Sequence, residues 1–447
     1  MVTERSPSNP STLPTRSTRQ VVLAMLFIGL LFFILGCATW INGSLIPFLK
    51  IACNLNNFQA LWVAFAFYIA YTVMALPAAA VLARTGYRRG MALGLGVMSV
   101  GALLFIPAAR TGVYGLFLLA LFTLATGMTL MQTAINPYIV CIGARDSAAT
   151  RISIMGLFNK GAGVLVPLLF SSLVLSGMQG YSEQAFAALD EAGRAALRLE
   201  LAQHLVKPYA LMAALLLAVT VLVALAPIPE IAQAPQADGT APPTRFGVLR
   251  HPQLVLGALA LFAYVGVEVI AGDTIGLYGR HLGVTGFSSL TSYTMACMVL
   301  GYLLGIVAIP RRVSQKRALQ LSACAGLVLT LGVTLGAPDG TALSHALLGW
   351  TALPPVPDTV LFLAMLGFAN ALVWPAVWPL ALEDLGPYTA SGSALLIMGI
   401  AGGALLPMLY GALSDRAGAQ AAYWVLLPCY AWILFYAVKG HALRAWR

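Results

Sequence analysis

The sequence predicts an all-α membrane protein of twelve transmembrane helices, arranged as two six-helix pseudo-repeats. Three observations carry that prediction. Of the 447 residues, 60% are hydrophobic and 9% are charged, against about a quarter charged in soluble domains. Apolar stretches of roughly 20 residues follow one another, each long enough to cross about 30 Å of hydrocarbon. A polar, proline-rich interval after the sixth stretch divides the chain, and short motifs recur on either side of it.

The elements are expected as follows. Residues 1–20 are rich in Ser, Thr, Pro and Arg, lack a cleavable signal pattern and read as a disordered cytoplasmic tail. The N-terminal half, 21–228, holds spans at about 21–45, 58–82, 91–109, 114–142, 151–176 and 208–228. Its loop at about 178–206 has the Ala, Leu, Glu and Arg content of a short amphipathic helix outside the membrane. Residues 229–250, rich in Ala, Pro, Gln and Asp, read as a flexible cytoplasmic linker. The C-terminal half, 251–438, holds spans at about 253–278, 287–309, 318–337, 358–382, 391–413 and 419–438, and 439–447 form a cytoplasmic tail. Cys37, Cys53, Cys141, Cys297, Cys324 and Cys429 show no paired spacing and read as small apolar residues, with no metal site, cofactor or disulfide implied.

The net charge of +10 does not indicate a nucleic-acid partner. With the N-terminus inside, about 17 of the 25 basic residues fall in cytoplasmic segments and about 7 outside. Arg84, Arg88, Arg89, Arg145, Arg151, Arg311, Arg312, Lys316 and Arg317 fill the inner loops, and Lys439, Arg444 and Arg447 the C-terminal tail. This is the positive-inside pattern, so both termini are expected in the cytoplasm and the basic balance reports topology.

The halves echo one another. Gln132-Thr-Ala-Ile-Asn136-Pro137 in the fourth span matches Trp374-Pro-Ala-Val-Trp378-Pro379 in the tenth. Ala162-Gly163-Val-Leu-Val-Pro167 in the fifth matches Gly402-Gly403-Ala-Leu-Leu-Pro407 in the eleventh, at a similar offset of about 240 residues. Basic loops follow the second and eighth spans, although positive-inside charge alone accounts for each. Two parallel six-helix repeats around a central site are the architecture of major facilitator transporters.

Charges at membrane depth are costly and persist mainly where they face a protein interior or a water-filled path. Glu268 interrupts the seventh apolar run and Lys160 the fifth. Polar partners fall at helical spacing around them. Gln132 and Asn136 share a face of the fourth span, Asn370, Trp374 and Trp378 form a stripe on the tenth, and Tyr264 stands four residues before Glu268. Trp40 and Asn42 close the apolar core of the first span. Asn159 and Lys160 lie about 14 Å into the fifth at 1.5 Å per residue. Amides and a carboxylate supply the directed donors and acceptors a sugar needs, and indole rings suit the C–H face of a pyranose. Each residue also has a structural alternative. Membrane amides bond neighbouring helices, Trp374 and Trp378 fit a core or interfacial role, and Lys160 fits a structural ion pair. Asp273, near the outer end of its span, reads as a solvated loop carboxylate, and Glu383 and Asp384 as structural or gating residues.

Three stretches resemble a known family. WINGSLIPFLKIACNLNNFQA, LMQTAINPYIVCIGARDSAATRIS and FNKGAG are similar to the fucose–galactose–glucose:H⁺ symporter family of the major facilitator superfamily, closest to its glucose/galactose or N-acetylglucosamine branch. The resemblance covers nearly the whole chain and is densest over 31–170. It implies a proton-driven sugar importer of the bacterial inner membrane, with Asn42, Gln132, Asn136 and Asn159 at positions that face the sugar. It also marks two departures. L-fucose permeases have Asp in the first-span motif N-D-x-L-x-P, where this chain has Gly43, and Glu where it has Gln132. Both departures weigh against fucose and against that proton route.

Glu268 is then the candidate proton carrier and sugar ligand, with Lys160 as a partner in coupling. The expected partners are a sugar, a proton and the bilayer, and the default state is a monomer. Uncoupled facilitation, sodium coupling and export of drugs or metabolites stay open as alternatives, the last fitting poorly with so many amides. No HExxH, GxSxG or His/Cys cluster points to a membrane enzyme.

Overall fold

A computed structural model describes residues 18–141, 148–174, 189–225, 247–308, 313–350, 354–385 and 388–446. Most of the expected N-terminal tail and linker, part of the 178–206 loop, and Arg145, Arg311, Arg312 and Arg447 lie outside the described residues.

Among the described residues, twelve helical stretches are long and apolar enough to cross a membrane. The first six are α1 (Met25–Ala52), α2 (Asn57–Leu82), α3 (Arg84–Thr111), α4 (Tyr114–Ile135), α5 (Arg151–Val174) and α6 (Glu191–Leu225). The second six are α7 (Pro252–Asp273), α8 (Phe287–Val307), α9 (Gln315–Leu335), α10 (Asp358–Leu382), α11 (Leu395–Ala417) and α12 (Ala421–Ala442). Helices are the expected solution because hydrocarbon offers the backbone no hydrogen-bond partner.

Three departures from the expected boundaries matter. The first span does not stop near 45: a helix from Thr18 to Trp40 breaks at Ile41, and a second segment, Asn42–Ala52, carries Pro47. The basic loop between α2 and α3 is a tight turn at Gly86, whose φ of +75° suits a residue without Cβ. The described part of the 178–206 loop is a helix, Glu191–Gln203, that runs through His204 and Leu205 straight into Val206–Leu225. The Asp190 carboxylate caps it by accepting the Gly193 N–H at 2.8 Å.

Breaks recur in the second half. α7 stops at Asp273 and restarts as Ile275–His281. α10 is split between Asp358–Asn370 and Val373–Leu382, and α11 carries a tighter turn at Gly399–Ala401. Irregular backbone at this depth is tolerated where protein covers it.

In the first half α5 packs on α1, and α3 packs on α4 and α6. Gly94 and Gly127 bring α3 and α4 into backbone contact: a Cβ at Gly94 would lie 2.8 Å from the Gly127 carbonyl oxygen. In the second half α10 packs on α8 and α9, α9 on α12, and α11 on α7. The halves meet along α2–α11 and α5–α8, and where the second segment of α1 touches Ile275–His281. The chain after α12 folds back. Arg444 pairs with Glu383 at 2.7 Å and Asp384 at 3.5 Å, and the Trp446 indole donates to the Leu249 carbonyl at 2.8 Å.

Candidate functional site

The two deep charges meet. The Lys160 ammonium on α5 lies 2.5 Å from the Glu268 carboxylate on α7, with both side chains about nine-tenths buried. The pair joins the two halves within their spans. Removing one partner of such a pair strands a buried charge, typically at about 3–5 kcal/mol.

Aromatic rings continue the contact in both directions. The Lys160 ammonium sits over the Trp40 ring, 4.1 Å from its centroid, a cation–π contact that adds to the pair. The same indole donates its N–H to the Asn159 side-chain oxygen at 3.0 Å. On the other side Tyr264 and Tyr302 stand within electrostatic reach of Glu268. Tyr264 leans on Trp374, with centroids 6.2 Å apart, and Trp374 on Trp378 at 5.5 Å. A continuous path therefore runs from Asn159 through Trp40, Lys160, Glu268 and Tyr264 to the two tryptophans. Asn159, Trp374 and Trp378 are half-buried and Trp40 is buried.

The amides divide. Gln132, half-buried, donates to the Tyr71 hydroxyl on α2 at 3.1 Å. Asn159 also donates to the Phe32 carbonyl at 3.4 Å. Asn370 lies just before the break in α10, and its oxygen accepts from the Tyr430 hydroxyl on α12 at 2.9 Å. Asn42 is fully buried, and neither of its amide atoms has a partner. The side chain of Asn136 lies outside the described ones.

One expectation is overturned. Asp273 is not a solvated loop carboxylate; it is 0% exposed and neither carboxylate oxygen has a hydrogen-bond partner. The chain does not reach water there, because the helix resumes at Ile275 and α1 and α8 close over it. Sequence reasoning also passed over the tyrosines. Tyr68 and Tyr71, three residues apart on α2, stack with centroids 6.5 Å apart, and Tyr68 stands within electrostatic reach of Glu268. Helical spacing of hydroxyl-bearing rings inside an apolar run is the signal that would have found them.

A second contact between halves lies near one membrane face. The Asp415 carboxylate of α11 accepts the backbone N–H groups of Asn57 and Phe58, at 3.1 and 2.9 Å, and so caps the start of α2. Asn57 adds a bond to Ser414 at 3.2 Å and is also bonded by the Lys50 ammonium. Ser44 bonds the Ser288 carbonyl at 2.5 Å, and Ser288 bonds Ser171 at 3.1 Å. Beside this latch is a cavity of about 350 Å³ lined by Lys50, Arg280, His281 and Tyr410 among others.

Comparison with known proteins places this geometry. Residues 28–398 match the Major Facilitator Superfamily. A glucose/galactose transporter of Brucella abortus is 32% identical over 445 residues, covering 98% of this chain and 99% of the relative. An L-fucose-proton symporter of Escherichia coli is 28% identical over 439 residues, covering 94% and 93%. The crystal structure of FucP in the outward conformation is similar at a TM-score of 0.70 and 26% identity, covering 94% of this chain and 99% of that one. These relatives are transporters, not enzymes. The chain belongs to the Major Facilitator Superfamily, in the family that holds these glucose/galactose transporters and L-fucose-proton symporters.

Proposed function

We propose that this protein imports a hexose or amino sugar such as N-acetylglucosamine, glucose or galactose together with a proton, by alternating access in a bacterial inner membrane. The observation that carries the reading is the buried Lys160–Glu268 pair, which joins the halves and is flanked by half-buried amides and tryptophans. The glucose/galactose relatives support the substrate class.

In this reading Gln132 and Asn159 offer donors and acceptors to sugar hydroxyls from the first half, and Asn136 stands one turn along the same face. Tyr264, Trp374 and Trp378 supply the apolar wall from the second half. Trp40 acts through Lys160 and Asn159, and holds both in place. Asn370 acts through Tyr430 and fixes the break in α10. Glu268 carries the proton: protonation weakens its hold on Lys160 and lets the halves move apart at this level, and deprotonation restores it. Both termini face the cytoplasm in this reading, so the Asp415 latch closes the outer face and the protein functions as a monomer.

The test is uptake of labelled N-acetylglucosamine, glucose, galactose and fucose into proteoliposomes, with and without an inward proton gradient. Accumulation of one of the first three above equilibrium, only with the gradient, is the expected result. Gradient-independent equilibration would replace symport by facilitation, with Glu268 a sugar ligand alone, and uptake of none of the four would remove the sugar reading.

A further inference from the structure

α7 carries two buried carboxylates, and they are treated differently. Glu268 is held by Lys160. Asp273, five residues on and about 7.5 Å further along the helix, has no hydrogen bond and no cation in contact among the described residues. The threonine hydroxyls around it are neutral and already engaged. Thr291 and Thr294 of α8 donate to the Gly272 and Ala271 carbonyls, at 2.8 and 3.3 Å. Thr274 is bonded to Ile270 and Tyr423. α1 presses its Gly43 on the Gly272 carbonyl. The titratable groups within electrostatic reach of Asp273 are Glu268 on its own helix, Lys160 on α5 and Tyr68 on α2. The Tyr68 hydroxyl is buried, lacks a partner, and stands within reach of both carboxylates. An ionised carboxylate without a partner is strongly disfavoured at such a place, and the neutral acid is not. The neutral acid also has a proton to give.

We propose that Asp273 is the coupling-proton store of this transporter, loaded from the side closed by the Asp415 latch and emptied to Glu268. This rests on the symport reading. In the state described here, Asp273 holds the proton and Lys160 holds ionised Glu268. The proton then passes from the Asp273 carboxyl to the Glu268 carboxylate, with the unpartnered Tyr68 hydroxyl in the same buried layer. Lys160 turns from Glu268, now neutral, to Asp273, now charged. Charge is conserved: one ammonium, one carboxylate and one carboxylic acid before and after. Glu268 releases the proton to water on the opposite face, and Asp273 is reloaded when its own side opens. Two carboxylates sharing one ammonium thus give the proton a direction that a single pair lacks.

The experiment uses the full chain in lipid nanodiscs, with two readouts. The first is infrared difference spectroscopy across a pH titration. A band from a neutral carboxylic acid is expected in the wild type, and its loss is expected in Asp273→Asn, where Glu268 stays ionised against Lys160. The second is the pH dependence of sugar affinity, measured with the sugar that the wild type accumulates. One linked proton makes wild-type affinity fall by about tenfold per pH unit above the titration of the site. Asp273→Asn flattens that slope, and Asp273→Glu, which keeps an acid, retains it. The idea is overturned if the acid band survives Asp273→Asn, if the slope survives it, or if a sodium gradient replaces the proton gradient. Were the wild type to bind no sugar, the symport reading would fail by itself, while the infrared readout would still report whether Asp273 carries a proton.

Discussion

Two of the contacts between the halves of this molecule use opposite chemistry. Within the spans a buried ammonium and carboxylate meet at 2.5 Å, packed among rings. Near the latch face an exposed carboxylate, Asp415, accepts two backbone N–H groups at the start of α2. The first is expensive to break unless a proton neutralises one partner. The second has water as a ready competitor on both sides and opens at little cost. The difference assigns control. The latch can follow thermal motion, whereas the central pair has to wait for chemistry.

Breaking the central pair should give the largest effect. Lys160→Met leaves Glu268 buried without its cation, and is expected to cost about 3–5 kcal/mol of stability, read as a lowered thermal midpoint in detergent. The double variant Lys160→Met with Glu268→Leu is expected to recover most of that midpoint while proton-driven uptake stays absent. Recovery of uptake would reduce the pair to a structural strut. The aromatic wall beside the pair gives an intermediate effect. Trp374→Ala removes a half-buried ring and should weaken sugar binding by about tenfold, or about 1.4 kcal/mol, in a titration at low pH; unchanged affinity would place the sugar elsewhere. The latch should give the smallest effect. Asp415→Asn loses the charge on the α2 N-terminus, worth about 0.5–1 kcal/mol. A cysteine replacing Phe58 should then react with a membrane-impermeant maleimide about two to five times faster, and unchanged labelling would remove the latch from the transport cycle.

The fold was legible because hydropathy, loop charge and two motif echoes report the same architecture independently. Glu268 and Lys160 were legible because a single charge in a long apolar run has few explanations. Their meeting was not, since they lie 108 residues apart on different halves. Asp273 was misread because counting apolar residues placed water at the end of the run, and the restart at Ile275 moved it away. The bond between Asn370 and Tyr430 was not legible either, since Tyr430 lies 60 residues on and on another helix. Helical periodicity reaches one helix at a time, and the site draws on seven: α1, α2, α4, α5, α7, α8 and α10.

The contact at Gly43 bears on what the seam between the halves can carry. A Cβ there would press on the Thr291 hydroxyl and lie 2.8 Å from the Gly272 carbonyl oxygen. Any side chain at position 43, an acid included, therefore has no room in the seam as it stands, and Thr291 would have to shrink or α8 to shift before one could be seated. Gly43 works as a spacer of zero thickness: it sets how near α1 stands to α7 and α8, and so keeps a further charge out of the layer that holds Asp273.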